Sequence, residues 1–174
     1  MTSVTKDRLR VFGRDELKAI ACNALNEARI SGGFLIFAYV IMLDHIHLIT
    51  DSNQKSRVIL RFVNGTISRR IIDFLKQGNY AASLKKLRRQ EDRRGHKYSL
   101  WDHHANVRVL TSEEMLMQRV NYTHQNPVRA GLVKSAEDYK YSSVRIWNGK
   151  PLADEPLLVD LDKIRWRKKK KLDT

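Results

Sequence analysis

Apolar and polar residues follow one another along the chain in periods that change several times, and each change predicts an element. From Asp15 to Ala28, Leu17, Ile20, Ala21, Ala24, Leu25 and Ala28 recur at three- and four-residue spacings. Such positions share one helical face, so the segment predicts an amphipathic helix, ended by Gly32 and Gly33. Phe34 to Leu43 is apolar throughout and rich in aromatic and β-branched side chains, which predicts a buried strand. The segment His45 to Thr50 then alternates with period two. It predicts a second strand, joined to the first by a tight connection through Met42, Leu43 and Asp44.

Beyond the polar turn Asp51 to Lys55, Val58, Ile59, Phe62, Val63, Ile67, Ile71, Ile72 and Leu75 return to helical spacing. The prediction is a basic amphipathic helix from Ser56 to Leu75, carrying Arg57, Arg61, Arg69 and Arg70 and bent near Gly65. Leu84 to Lys97 holds Lys85, Lys86, Arg88, Arg89, Arg93 and Arg94 with only two acidic side chains, and reads as a charged hairpin, loop or short helix. Tyr98 to Leu110 offers the anchors Trp101, Val107, Val109 and Leu110 but no clear period. Thr111 and Glu114 form a capping-box pair ahead of a helix from Glu113 to His124, which Asn126-Pro127 is expected to stop. On that helix Leu116 and Val120 share one face, Gln118 and Tyr122 another.

Composition narrows the class. With 174 residues and 42% hydrophobic positions, the chain is long enough for one cored domain, placed at residues 1–150, followed by a basic C-terminal extension at 151–174. The single cysteine, Cys22, excludes a disulfide framework and a cysteine-rich zinc site; it lies in the apolar register of the first helix, where a small core residue is expected. Neither a signal peptide nor a long uncharged apolar run is visible, so a cytoplasmic setting without a membrane is expected. Lys and Arg outnumber Asp and Glu by 33 to 19, a formal charge of +14. Such a charge calls for a polyanionic partner, with nucleic acid, a membrane surface and ribosomal RNA all open on charge alone. The run Arg165 to Lys171, which includes Arg167, Lys168 and Lys169, is too charged to belong to a core.

Candidate chemistry centres on His45 and His47. Alternate strand positions project from one face, so two imidazoles there can meet one ion while Ile46 packs on the other side. A surface histidine pair is the competing reading. A third ligand is sought elsewhere, and Asn126 is suitable, because a carboxamide oxygen is an acceptable donor to magnesium or manganese. Tyr122, four positions earlier, shares its helical face, and a tyrosine near an ion and basic neighbours can attack a phosphodiester to leave a covalent phosphotyrosine. A packed amphipathic aromatic is the plainer reading of Tyr122, and a capping or surface histidine that of His124. The basic helix, the run at 84–97 and the terminal cations would follow a nucleic-acid backbone, with Tyr80, Tyr98 and Trp101 as candidates for stacking on unpaired bases.

With those residues in view, the chain resembles the REP-associated tyrosine transposases, a branch of the single-tyrosine HUH transposases. The likeness rests on AYVIMLDHIHLI from Ala38 to Ile49, on Trp101 with Asp102 and His103, on YTHQNPVRAGLV from Tyr122 to Val133, and on DYKYSS from Asp138 to Ser143. It implies an α+β fold: a small ferredoxin-like domain whose antiparallel sheet carries the histidine pair on a central strand, with helices packed on it. It further implies that His45 and His47 bind Mg2+ or Mn2+, that Asn126 completes or supports the site, and that Tyr122 forms a 5′-phosphotyrosine link. The implied partner is single-stranded DNA with palindromic hairpins, the setting the nucleoid, and the state a monomer or a homodimer.

The chain departs from the family pattern twice. Asp44 stands where an asparagine usually precedes the histidine pair. Only three residues precede Val4, where the family commonly begins with a fuller strand ending in a segment like Val4 to Arg8, so either that strand is shorter in this protein or the start is truncated or assigned too late. Two other functions compete with the transesterase: a catalytically inactive hairpin-binding module, and a metal-dependent hydrolytic nuclease in which Tyr122 is structural.

Overall fold

The computed structural model describes residues 1–51, 53–89, 97–102 and 105–165. Three strands, β1 (Thr2–Val4), β2 (Ile36–Ile41) and β3 (His45–Thr50), form an antiparallel sheet in the order β1-β3-β2. The central strand is therefore the one that carries both histidines. Its register sets His47 opposite Thr2 on one side and Val40 on the other. The N-terminal strand is present but only three residues long. Isolated pairings of Thr2 with Asn106 and of Thr5 with Trp101 cover its outer side, and the backbone of Tyr141 and Ser143 reaches Ile41 and Tyr39 along β2. Both sheet edges are thus occupied from within the chain, which removes a template for pairing with other molecules.

One face of the sheet is covered by α1 (Asp15–Gly32) and α2 (Ser56–Gln77). Leu17, Ala21, Cys22, Leu25 and Ala28 of α1 and Ile59, Val63, Ile67, Ile71 and Leu75 of α2 are buried there with Ile46 and Leu48 of β3. α1 runs one turn past the apolar period and stops at Gly33, whose φ of 62° is the left-handed C-cap conformation that glycine adopts freely. A Cβ at Gly32 would come within 2.9 Å of Phe34 and Phe62, so that glycine marks a close approach of α1 to its neighbours. α2 passes Gly65 as continuous helix, without the bend expected there. A short helix, α3 (Ala81–Leu87), follows, and Arg88 then pairs with Tyr98 across residues outside the description.

The other face is covered by α4 (Glu113–Arg129), whose Leu116 and Val120 pack on Ala38 and Ile49. Two expectations about this helix need correction. Its N-cap is Ser112, whose hydroxyl accepts from Met115 N at 3.1 Å; Thr111 is adjacent and equally suited by type, but one residue early. Nor does Asn126-Pro127 stop the helix, which continues to Arg129. Pro127 lacks the N–H that would bond Thr123 O. The Asn126 side chain makes up part of the loss, its Nδ2 donating to Tyr122 O at 2.7 Å and to Thr123 O at 3.4 Å.

A short helix, α5 (Val144–Trp147), and the residues after it pack back on this body. Leu157 joins the main core and Ile164 the cluster beneath α4. Asp160 accepts from Ile36 N at 2.9 Å. Arg145 and Glu155 form a buried two-pronged pair at 2.7 and 2.9 Å, and the remaining guanidinium hydrogens go to the carbonyls of Glu137, Tyr139 and Lys140. No described helix is long and apolar enough to cross a membrane.

Candidate active site

The period-two pattern of β3 places His45, His47 and Ile49 on the α4 face of the sheet and Ile46 in the opposite core, 2% exposed. The two imidazole rings lie 4.8 Å apart at 83°. Each has one nitrogen already engaged. His45 Nδ1 is 2.6 Å from Asp44 Oδ1, and His47 Nδ1 is 2.8 Å from Thr2 Oγ1. Asp44 in turn accepts from Arg8 at 3.0 Å. Burial works against ionisation of Asp44, but the hydrogen bond from His45 and the charge of Arg8 outweigh it and hold its carboxyl below the usual range.

His47 Nε2 is buried and has no hydrogen-bond partner, an exception to the rule that buried polar atoms are paired. Burial, with help from His45, Arg119 and the terminal amine, pushes the pKa of His47 down to about 3. The Asn126 carboxamide pulls weakly the other way without reaching hydrogen-bonding geometry at Nε2. The ring is therefore neutral at physiological pH, the form in which imidazole ligates metals.

The i, i+4 spacing on α4 brings Tyr122 and Asn126 to this pair. The Tyr122 ring lies 5.6 Å from that of His47 at 80°, and the residue is 37% exposed, open to a large substrate. Because Asn126 Nδ2 faces two backbone carbonyls, its amide is oriented and Oδ1 is the end left for the site. The structure thus brings together His45, His47, Tyr122 and Asn126. It does not bring His124, which is buried and shares a 2.9 Å hydrogen bond with Ser143, a tether between α4 and the segment along β2. Among the described residues no cluster of three His, Cys, Asp or Glu side chains could hold a metal. Among the described residues, an ion at the histidine pair would draw its further donors from a carboxamide, solvent or substrate.

Two arginines that the sequence reading passed over belong to the site. The guanidinium carbons of Arg119 and Arg129 each lie 4.9 Å from the Tyr122 ring centroid. Their positions, three before and seven after Tyr122, share its helical face; that spacing was the available signal. A groove of about 540 Å³ opens beside Tyr122, lined by Arg108, Leu110, Met115 and Arg119 among others. It shares Arg108, Val109, Leu110 and Arg119 with a second hollow of about 680 Å³ that extends to Asp51, Gln54 and Arg165.

The other expected contacts are scattered. Arg57 and Arg61 are exposed on α2, and Lys85 and Lys86 on α3. Arg69 and Arg70 both bond Glu27 of α1 at 2.8 Å. Arg88 is exposed, whereas Arg89 is half-buried with its Nε unpartnered. Arg165 is exposed at the mouth of the larger hollow. Arg93, Arg94, His103, Arg167, Lys168 and Lys169 lie outside the described residues. Of the aromatics, Trp101 donates to Asn64 O at 2.9 Å and packs on Phe12, so its ring serves the core side of β1. Tyr80 stacks on Phe74 beneath Arg14, and Lys76 lies over Tyr98.

No protein-family model matches the chain, and no curated protein matches it either. Among solved structures, the chain is similar to the REP-associated tyrosine transposase bound to a REP hairpin, with a TM-score of 0.57 and 16% sequence identity over 94% of this chain and 86% of that one. The likeness is one of architecture: the chain has the α+β fold of a REP-associated tyrosine transposase, with a central His-x-His strand facing a helix that carries a tyrosine.

Proposed function

We propose that the protein is a metal-dependent, single-strand-specific DNA transesterase that cuts near palindromic hairpins through a 5′-phosphotyrosine intermediate. The observation that carries this reading is the placement of Tyr122 over His47, with Asn126 on the same helical face. Tyr122 Oη attacks phosphorus and loses its proton to solvent, the P–O3′ bond breaks, and the departing O3′ takes a proton from solvent to become a 3′-hydroxyl. Conserving the bond energy in the tyrosyl ester permits rejoining, which hydrolysis does not. Arg119 and Arg129 flank the tyrosine and are positioned to offset charge on the phosphate and on the developing phenolate. The groove beside Tyr122 gives the unpaired strand a path bordered by Arg108 and Arg119.

The donor set fits magnesium or manganese. His47 Nε2 is a buried ring nitrogen with no hydrogen-bond partner, His45 has its Nδ1 engaged elsewhere, and Asn126 presents an amide oxygen. An ion held there would supply Lewis-acid polarisation of a phosphoryl oxygen. A cytoplasmic, nucleoid-associated protein acting as monomer or homodimer accords with this reading.

The test is a denaturing gel of the purified protein with hairpin oligonucleotides bearing single-stranded flanks, in Mg2+ or Mn2+. The expected result is a protein-linked DNA band that requires the ion and vanishes in Tyr122→Phe. Hairpin binding with no adduct on any substrate would replace this reading with that of a binding module. Cleavage that survives Tyr122→Phe would replace it with a hydrolytic nuclease.

A further inference from the structure

The surroundings of His45 decide which of its nitrogens bears the proton. Its Nδ1 faces a carboxylate oxygen of Asp44 at 2.6 Å, and an ionised carboxylate only accepts, so Nδ1 donates and Nε2 keeps its lone pair. His47 is not decided in this way, because the Thr2 hydroxyl at its Nδ1 can donate or accept. The difference directs attention to what holds Asp44.

Asp44 is gripped at both backbone and side chain by the segment after β1. Thr5, fully buried, donates its N–H to Asp44 O at 2.8 Å, and its hydroxyl, with one hydrogen to give, lies between Leu9 O at 2.7 Å and Asp44 O at 2.9 Å. Arg8 reaches Asp44 Oδ2 at 3.0 Å, and Phe12 N donates to the preceding carbonyl, Leu43 O, at 2.9 Å. Bringing Arg8 there needs an unusual backbone. Asp7 and Arg8 are both left-handed, with φ of 52° and 51°, a conformation unfavourable for residues with a Cβ. The Arg8 side chain is 70% exposed, and an ion pair in that setting contributes little to stability. Two strained residues in succession are therefore poorly explained by the strength of the pair itself. The turn they form closes on Thr5 through Arg8 N and Leu9 O and leaves the Arg8 side chain on Asp44 Oδ2.

We propose that Asp44, locked by Arg8, is a positioning residue that holds His45 in the Nδ1–H tautomer and so turns its Nε2 lone pair into the site. A carboxylate behind a ligating imidazole also raises its basicity as a donor. Asp44 itself lies behind the ring, on the Nδ1 side, and is not a ligand in this arrangement. The use made of Nε2 rests on the divalent-ion reading above; the tautomer does not.

The experiment separates the two. Nitrogen-15 NMR of the full-length, ion-free protein at alkaline pH reports which ring nitrogen bears hydrogen. Wild type is expected to show His45 as Nδ1–H, Asp44→Ala to show a shift toward Nε2–H, and Arg8→Ala a smaller shift in the same direction. Asp44→Asn, which keeps an acceptor oxygen, restores part of the Nδ1–H form and serves if the alanine variant does not fold. Titration with Mn2+, followed by electron paramagnetic resonance, is expected to give about 10- to 100-fold weaker binding in Asp44→Ala. Wild-type His45 in the Nε2–H form, or a tautomer unchanged in Asp44→Ala, overturns the positioning role. Mn2+ affinity unchanged in Asp44→Ala, while His47→Ala loses it, overturns the consequence for the ion site. Tautomers as expected with no Mn2+ bound by any form would support the positioning and overturn the ion reading instead.

Discussion

The rings of His47 and Tyr122 meet edge to face, 5.6 Å between centroids, so the candidate nucleophile rests directly on a candidate ligand. Removing only the Tyr122 hydroxyl preserves that contact. Tyr122→Phe should abolish the covalent DNA adduct while changing stability by less than about 0.5 kcal/mol, as for most surface changes, and leaving Mn2+ affinity within twofold, roughly, of wild type. Adduct gels, thermal melts and Mn2+ titration of the one variant check all three.

Arg119, one turn before Tyr122, and Arg129, two turns after it, share its helix face and should act on rate more than on fold. Arg119→Ala is expected to lower the rate of adduct formation by about 10²-fold, the scale seen when a donor to a developing anion is removed. Arg119→Lys should recover only part, because a lysine cannot reproduce the planar fork. Single-turnover kinetics on a hairpin substrate would show this; an unchanged rate would confine Arg119 to packing on the tyrosine ring.

Asn126 and Pro127 form a testable pair within α4. Asn126→Ala removes a donor from the Tyr122 and Thr123 carbonyls and should cost about 1 kcal/mol. Pro127→Ala restores the missing backbone N–H, so the same asparagine change made in that background should cost less. Denaturant melts of the four proteins measure the coupling, and strict additivity would mean that the carboxamide does not compensate for the proline.

Arg69 and Arg70 each hydrogen-bond one oxygen of the Glu27 carboxylate, which offsets one of their two positive charges and holds both side chains against α1. Substituting both with alanine should leave the salt dependence of hairpin binding nearly unchanged, whereas Arg108→Ala with Arg165→Ala should flatten it, since each lost phosphate contact lowers the slope by about 0.7 to 0.9. Binding isotherms at several salt concentrations distinguish the groups.

Cys22 is fully buried, and burial pushes its thiol up to about 12. It should react with a thiol reagent at neutral pH only when the protein unfolds, because the thiolate is the reactive form. A thiol-labelling time course with and without denaturant checks this, and rapid labelling of the native protein would contradict the packing of α1.

The sheet was largely readable from sequence because its signals are local. Period two over six residues placed His45 and His47 on one face, and the β-branched and aromatic run before Asp44 favoured a buried strand, which the structure gives as Ile36–Ile41. α4 was harder because two local rules competed with tertiary context. Thr111 and Ser112 are chemically equivalent caps, and only the geometry at Met115 N distinguishes them. Proline ends helices on average, but an asparagine side chain one residue earlier can supply a donor, and nothing in the pattern alone reveals that it does. Arg119 and Arg129 lie off the apolar stripe of the helix, and only their spacing from Tyr122 marks them. The packing of Trp101 on Phe12 and its bond to Asn64 O were not legible, because they depend on β1, whose three residues carry little periodic signal.

The Arg145–Glu155 pair has a practical bearing on where this protein can be shortened. Every hydrogen of that guanidinium is committed inside the fold, and its counter-charge comes from ten residues further along. A fragment ending near residue 150 would shed the basic terminus but strand a buried cation, a penalty of about 3 to 5 kcal/mol that rivals the whole stability of a small domain. A fragment ending at Arg165 keeps the pair and the packing of Ile164. The minimal folding unit is therefore longer than the last regular helix suggests, and its limit is set by charge balance in the interior.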